Sequence, residues 1–380
     1  MNEEKEFHKT LYYFRLGKNL LSELDFASQK ESVSSFIKRQ CNSENLHFFL
    51  GSGCSLPAVP LMGYTFTELK NAGLDQSTLG KFGEDSKDIE GYLNWLKNAI
   101  IFYGEDSAEG QKFKESFNKT KDALLKSMPS DYISYATNQK VFTTVTNYQS
   151  FYSAIFLQRE FKKLSPINIF TTNYDLFNEV SLENIGIHYT NGFRGSVNSV
   201  FDPSVYRLRL VDDENRYKEK WSTVRQYVKL YKIHGSIDWK YNNHIKAIVQ
   251  TNSHQELTED IMIYPTINKH LETQQSPYSE LLREFTISLQ KKNSTMVIIG
   301  YGFPDEHINQ LISQALNNED FNLIVFGNKS EPAALQFFNQ HKSKPNFHFI
   351  GGSISEEADG HHFNNVIKYL GIGDKNVHSE

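Results

Sequence analysis

The stretch Thr295-Met296-Val297-Ile298-Ile299-Gly300-Tyr301-Gly302-Phe303-Pro304-Asp305 decides how the rest of the chain is read. An apolar run ends in glycines and gives way to a helical pattern over Asp305–Leu316, with Asp305 placed to cap that helix. The alternation then repeats twice. A strand at Asn322–Phe326 precedes a helix at Glu331–His341, and a strand at Asn346–Ile350 precedes a helix from about Glu356 to Leu370. Short apolar strands alternating with helices mark an α/β protein with a doubly wound, Rossmann-like parallel sheet.

Working back from that segment, Tyr278 to about Lys292 reads as an amphipathic helix, and Ile261–Tyr264 as a strand. A hairpin is expected from Trp239–Tyr241 and Ile245–Thr251, with strands at Val228–Ile233 and Pro166–Phe170. The first strand of the sheet is Leu46–Leu50, which stops at Gly51-Ser52-Gly53 and follows a helical pattern over Glu31–Gln40. Between Tyr64 and Phe161 the character changes to charged stretches with apolar residues at three and four spacing, such as Ile89, Tyr92, Leu93, Leu96 and Ile100. The expected organisation is an N-terminal extension (1–45), an α/β domain (46–65 and 162–372) interrupted by an inserted helical subdomain (66–161), and a frayed tail (373–380).

Composition narrows the classes. A chain of 380 residues predicts two to three structural units, and 39% hydrophobic with 22% charged residues is globular. Mean hydropathy is −0.52. A net charge of −5 gives no global attraction to nucleic acid, so direct nucleic-acid binding is not expected. No run reaches the length of a membrane span, and Met1–Glu6 is acidic with no apolar segment behind it, which predicts a cytoplasmic protein. With only Cys41 and Cys54, neither a disulfide framework nor a three- or four-cysteine zinc site can be built. The pair His361-His362 reads as structural, without a clustered carboxylate to complete a ligand set, so no metal ligands are assigned.

Five short motifs follow strands. Gly51-Ser52-Gly53-Cys54-Ser55 can bring backbone amides to a phosphate or simply make a tight strand exit. Thr171-Thr172-Asn173-Tyr174-Asp175 falls where ligands sit in doubly wound sheets, though Asp175 equally suits a helix cap. His234-Gly235-Ser236 puts a histidine at a strand end, in the place of a general base. Gly300-Tyr301-Gly302 is a second turn of the nucleotide-facing type. Asn328, after the next strand, offers an amide to a ribose hydroxyl.

In this order the motifs resemble the sirtuin fold from end to end, over about residues 46–65 and 165–350. The resemblance implies NAD as substrate. It places Gly51, Ser52, Gly53, Cys54 and Ser55 on the diphosphate loop, Thr172, Asn173 and Asp175 on the nicotinamide-ribose motif, and His234 on the catalytic histidine. Gly300, Tyr301, Gly302 and Asn328 fall on later cofactor contacts. The zinc cysteines of protein-deacylating sirtuins are missing, so no zinc module is expected. The spelling Thr-Thr-Asn-Tyr-Asp, His-Gly-Ser-Ile-Asp-Trp and Gly-Tyr-Gly-Phe-Pro-Asp-Glu-His-Ile-Asn resembles bacterial sirtuin-like NAD hydrolases of antiphage defence, and this size those found with a HerA-type ATPase. That resemblance implies an NADase with Asn173, His234 and Asp175 catalytic, a homo-oligomer, and a HerA-type partner. Protein ADP-ribosylation or deacylation, and a catalytically silent NAD-binding subunit, are the alternatives.

Overall fold

The computed structural model describes residues 9–129, 132, 135–159, 165–218, 220–251, 276–356 and 358–371. A hairpin of β1 (Thr10–Arg15) and β2 (Lys18–Asn19) precedes α1 (Phe26–Gln40) and β3 (Asn45–Leu50). Then come α2 (Met62–Asn71), α3 (Gln76–Phe82), α4 (Ile89–Tyr103), α5 (Ala108–Lys126) and the long α6 (Gln139–Arg159). β4 (Ile167–Thr171) and α7 (Phe177–Asn184) lead to the short strands β5 (His188–Thr190), β6 (Phe193–Arg194) and β7 (Val200–Phe201). A hairpin of β8 (Val211–Tyr217) and β9 (Lys220–Thr223) is followed by β10 (Tyr227–Lys232) and a second hairpin of β11 (Trp239–Asn242) and β12 (Ala247–Gln250). The last part alternates α8 (Tyr278–Leu289), β13 (Ser294–Ile299), α9 (Glu306–Ala315), β14 (Phe321–Phe326), α10 (Pro332–His341), β15 (Phe347–Ser355), β16 (Ala358–Asp359) and α11 (Phe363–Tyr369). The strand expected at Ile261–Tyr264 and the tail from 373 lie outside the described residues.

The central sheet runs β2-β1-β15-β14-β13-β3-β4-β10-β5, with β16 on β15. Every pairing from β15 to β5 is parallel, and only β1, β2 and β16 are antiparallel. This is the doubly wound α/β architecture the sequence pattern predicts. Winding reverses between β3 and β13, and such a switch point opens a crevice at the carboxyl ends of the strands.

Alternation along the strands divides the core in two. Phe48 and Leu50 of β3, Ile169 of β4, Leu230 of β10 and Ile299 of β13 face one layer, where α1, α6 and α11 contribute Phe36, Phe151, Ile155 and Val366. Phe49, Phe170, Tyr231, Ile298 and Val325 face the other, packed with Phe285 of α8, Ile312 of α9 and Phe338 of α10. Phe170 stacks on Tyr231 at 4.6 Å and meets Phe285 edge-on at 4.9 Å, so aromatic rings line this layer. Helices α2–α5 enclose a smaller cluster of their own around Phe66, Leu79, Tyr92, Leu96 and Phe113. The 139–159 helix instead buries Tyr148, Phe151 and Tyr152 in the first sheet layer.

Two differences from the sequence reading have local causes. The last helix begins at Phe363 rather than near Glu356, because β15 continues through Gly351-Gly352 to pair with β1. Gly352 adopts φ +110°, and a Cβ there would stand 2.3 Å from the Thr10 carbonyl oxygen, so this close crossing requires glycine. The extended segment Thr10–Arg15 carries no periodic signal of its own; its partner, 333 or more residues away in sequence, makes it a strand. No helix among the described residues is long and apolar enough to cross a membrane.

Candidate functional site

At the switch point two loops meet with almost no side chain between them. A Cβ on Gly51 would lie 2.4 Å from the Gly300 carbonyl oxygen, and one on Gly300, at φ +65°, 2.7 Å from the Cys54 nitrogen. The N–H of Gly51 donates to the Ile299 carbonyl and that of Gly53 to the Gly300 carbonyl, both at 2.9 Å. The amides of Gly51 and Gly53, expected to face a diphosphate, are engaged in joining the loop after β3 to the end of β13. Cys54 is buried with its Sγ 3.3 Å from the Ile299 carbonyl, and burial pushes its thiol well above the usual range, so it is an inert packing group.

Above these loops lies a cleft of about 230 Å³. Ser52, Ser55, Thr172, Asn173, Asp175, His234, Tyr301 and Gly302 line it, together with Val59–Met62, the start of α4 and Leu124 to Met128. Eight of the expected residues therefore converge from four separate strand ends. Gly51, Gly53, Cys54, Gly300 and Asn328 do not line it. Asn328 is occupied elsewhere: its Oδ1 accepts from the Ser330 N–H at 2.8 Å and its Nδ2 donates to Asp359 Oδ2 at 3.3 Å.

Asn173 is buried, and both its amide hydrogens are engaged. Nδ2 donates to the Gly51 carbonyl at 3.0 Å and to Ser55 Oγ at 2.9 Å. The Gly51 oxygen can only accept, so the amide cannot turn over, and Oδ1 is the atom left for a ligand. Ser55 passes its own hydrogen to Asp175 Oδ2 at 2.6 Å, while Asp175 Oδ1 accepts from the Phe177 N–H at 3.2 Å. Asp175 thus serves both readings, holding the start of α7 and anchoring the Asn173–Ser55 chain. Burial raises its carboxyl above the usual range, while Lys232 and the Ser55 bond pull it back.

Lys232, fully buried, was not singled out in the sequence. Its ammonium donates to the Tyr174 carbonyl at 3.1 Å, the Asp175 carbonyl at 2.5 Å and Ser236 Oγ at 2.6 Å, tying the turn after β4 to the turn after β10. Glu179 of α7 stands 3.3 Å away as its counter-charge. Burial pushes the Glu179 carboxyl up to about 7, with Lys232 opposing the shift. The signal that could have found the pair is a charged residue inside the apolar strand Tyr227–Lys232, which needs a partner if buried.

His234 is 3% exposed, with Nε2 3.8 Å from Asp305 Oδ1. The sequence places Asp305 as a helix cap, and it does hold the N-cap position of α9, but its side chain makes no capping bond. The carboxylate faces His234 instead and accepts from the Tyr301 hydroxyl at 3.3 Å. A capping position and an active-site carboxylate share the same sequence signal, which is why Asp305 was missed. Chemically, the cleft offers a fixed amide oxygen, a histidine beside a carboxylate, and hydroxyls, on apolar walls. That set suits orienting a sugar or a water and moving one proton.

Residues 167–346 match the family model of the SIR2-like domain, a family of NAD-dependent enzymes. The matched span contains the Thr171–Asp175 turn, His234, the Gly300 loop and Asn328. No curated protein matches the chain.

Proposed function

We propose, from the premise that residues 167–346 form a SIR2-like domain, that the protein hydrolyses the nicotinamide–ribose bond of NAD⁺. Water and NAD⁺ give nicotinamide, ADP-ribose and a proton. The observation that carries this reading is Asn173, whose amide is locked by Gly51 and Ser55 with only Oδ1 available in the cleft. An acceptor held in that way orients an attacking water or a ribose hydroxyl. His234 takes the proton released by the water, and Asp305, 3.8 Å away, stabilises the imidazolium that results. The buried Asp175 contributes negative charge near the oxocarbenium-like centre and holds Ser55 in place. Ser52, Thr172, Tyr301 and Gly302 complete the binding surface.

Support for a defence role comes from the motif spelling, and the proposal extends to depletion of cellular NAD in the cytoplasm under control of a HerA-type ATPase. A homo-oligomer or partner contact finds support in Ile101 and Phe102 at the end of α4, which are 74% and 82% exposed. The test is nicotinamide release by the purified chain, with and without such an ATPase, beside Asn173→Ala. Release that vanishes in the variant is expected. Modification or deacylation of an added protein without free ADP-ribose would replace hydrolysis by group transfer, and NAD binding with no turnover under either condition would leave a silent binding subunit.

A further inference from the structure

Beside Asn328, three metal-ligating side chains come together that do not line the cleft. Asp359, in β16, and the adjacent His361 and His362 each place a ligand atom within 4.8 Å of the others. The sequence alone set the two histidines aside for want of a carboxylate; pairing of β16 with β15 supplies it. We propose that Asp359, His361 and His362 form a binding site for one divalent transition-metal ion of the zinc class, independent of the NAD reading.

The carboxylate is already oriented. Asp359 Oδ1 accepts from Ser353 Oγ at 3.1 Å and Oδ2 from Asn328 Nδ2 at 3.3 Å, the kind of outer-shell hold that metal-binding carboxylates carry. Its backbone is fixed as well, with the carbonyl accepting from Asn365 Nδ2 at 2.9 Å and the N–H donating to His362 Nδ1 at 3.3 Å. Gly360 makes the turn compact, because a Cβ there would meet Leu11 Cδ2 at 2.5 Å. Opposite the carboxylate, His361 Nδ1 is buried with no hydrogen-bond partner among the described residues. It stands 3.9 Å from Asp359 Oδ2, too far for a hydrogen bond. Metal–ligand bonds of about 2.0–2.2 Å put two ligand atoms roughly 3–4 Å apart, so this separation suits an ion between them. His362 is exposed and holds the N-cap of α11 without a side-chain capping bond; letting go of the long Asp359 N–H contact allows its ring to turn and close the remaining distance.

Two imidazoles and one carboxylate make a borderline N₂O set. It selects Zn²⁺ and its neighbours over Mg²⁺ or Ca²⁺, which demand oxygen ligands. Three protein ligands leave one coordination position for water. The site does not draw on Cys41 or Cys54, both of which are buried elsewhere.

The test is calorimetric titration of the full chain, prepared without a histidine tag and stripped by a chelator, with ZnCl₂ alone and with MgCl₂ alone. One equivalent of Zn²⁺ and no Mg²⁺ is expected, with affinity at least about 100-fold weaker in His361→Gln and Asp359→Asn, beyond the loss typical of outer-shell changes. Co²⁺ in place of Zn²⁺ gives a visible absorption band that both variants abolish. Because His361 and Asp359 are partly buried, the exposed His362→Gln is the third variant and retains the native circular dichroism. Absence of saturable Zn²⁺ binding to the wild-type chain, or affinity unchanged in all three variants, overturns the proposal.

Discussion

The two halves of the cleft are built by opposite means. The loops after β3 and β13 are joined backbone to backbone, with Gly51, Gly53 and Gly300 leaving no room for side chains and their amides and carbonyls bonded across the gap. The turns after β4 and β10 are joined by side chains, through Lys232 to two carbonyls and Ser236, and the turn after β4 is tied to Ser55 of the loop after β3 in the same way, by Asn173 and Asp175. The first half supplies shape at the switch point. The second supplies the chemistry, so its residues should be separable into those that react and those that hold.

The largest effect should fall on the reacting groups. Asn173→Ala and His234→Ala are each expected to lower NAD turnover by about 10²–10⁴-fold in protein that remains folded. A variant that melts normally and turns over NAD at the wild-type rate would remove that residue from the mechanism. Next comes Lys232→Ala, which leaves Glu179 buried without its counter-charge and is expected to cost about 3–5 kcal/mol in denaturant unfolding. Restoring most of that loss with Glu179→Gln on the same chain would show that the cost is the orphaned charge. An undiminished unfolding free energy for Lys232→Ala would break the claim that side chains hold this half.

For the backbone-built half, Gly300→Ala combines a left-handed φ with a 2.7 Å approach to the Cys54 nitrogen. A loss of about 1–3 kcal/mol is expected, together with a fall in NAD affinity, measured by unfolding and by calorimetry. Stability lost without any change in affinity would show that the loop shape does not matter to the ligand. The last effect is a pH slope. Burial lifts Glu179 to about 7, whereas the unfolded carboxyl titrates near ~4.3, so the folded protein keeps a proton that the unfolded chain releases. That contribution is complete below pH ~4.3 and is lost as pH rises to about 7. The melting temperature of wild type relative to Glu179→Gln should therefore decline between pH 5 and 7.5, and a flat difference across this range would refute the assignment.

How legible was this in the sequence? The parallel strands were, because strands buried on both faces read as apolar runs bounded by glycine, as in Thr295–Ile299 and Leu46–Leu50. Ser55, Asn173 and His234 were legible as positions, since strand-end motifs land at the carboxyl edge of such a sheet. Their bonding was not. Asn173 read as both donor and acceptor, and only the Gly51 carbonyl and Ser55 hydroxyl, 122 and 118 residues away, leave it an acceptor. Gly51 and Gly53 read as phosphate amides, and the Ile299 and Gly300 carbonyls claim those hydrogens.

By itself the sequence determined the alternation of elements, the strand ends that bear chemistry, and a cysteine count too small for a four-cysteine zinc module. These follow from local periodicity and composition, which every window of the chain carries. Only the tertiary structure decided that Thr10–Arg15 is a sheet strand, that Lys232 clamps two turns, that Asp305 faces His234 instead of capping its helix, and that Asp359 joins His361 and His362. Each of these depends on a partner brought close by the sheet, and a hydrogen bond or ion pair between distant residues leaves no periodic trace in either segment.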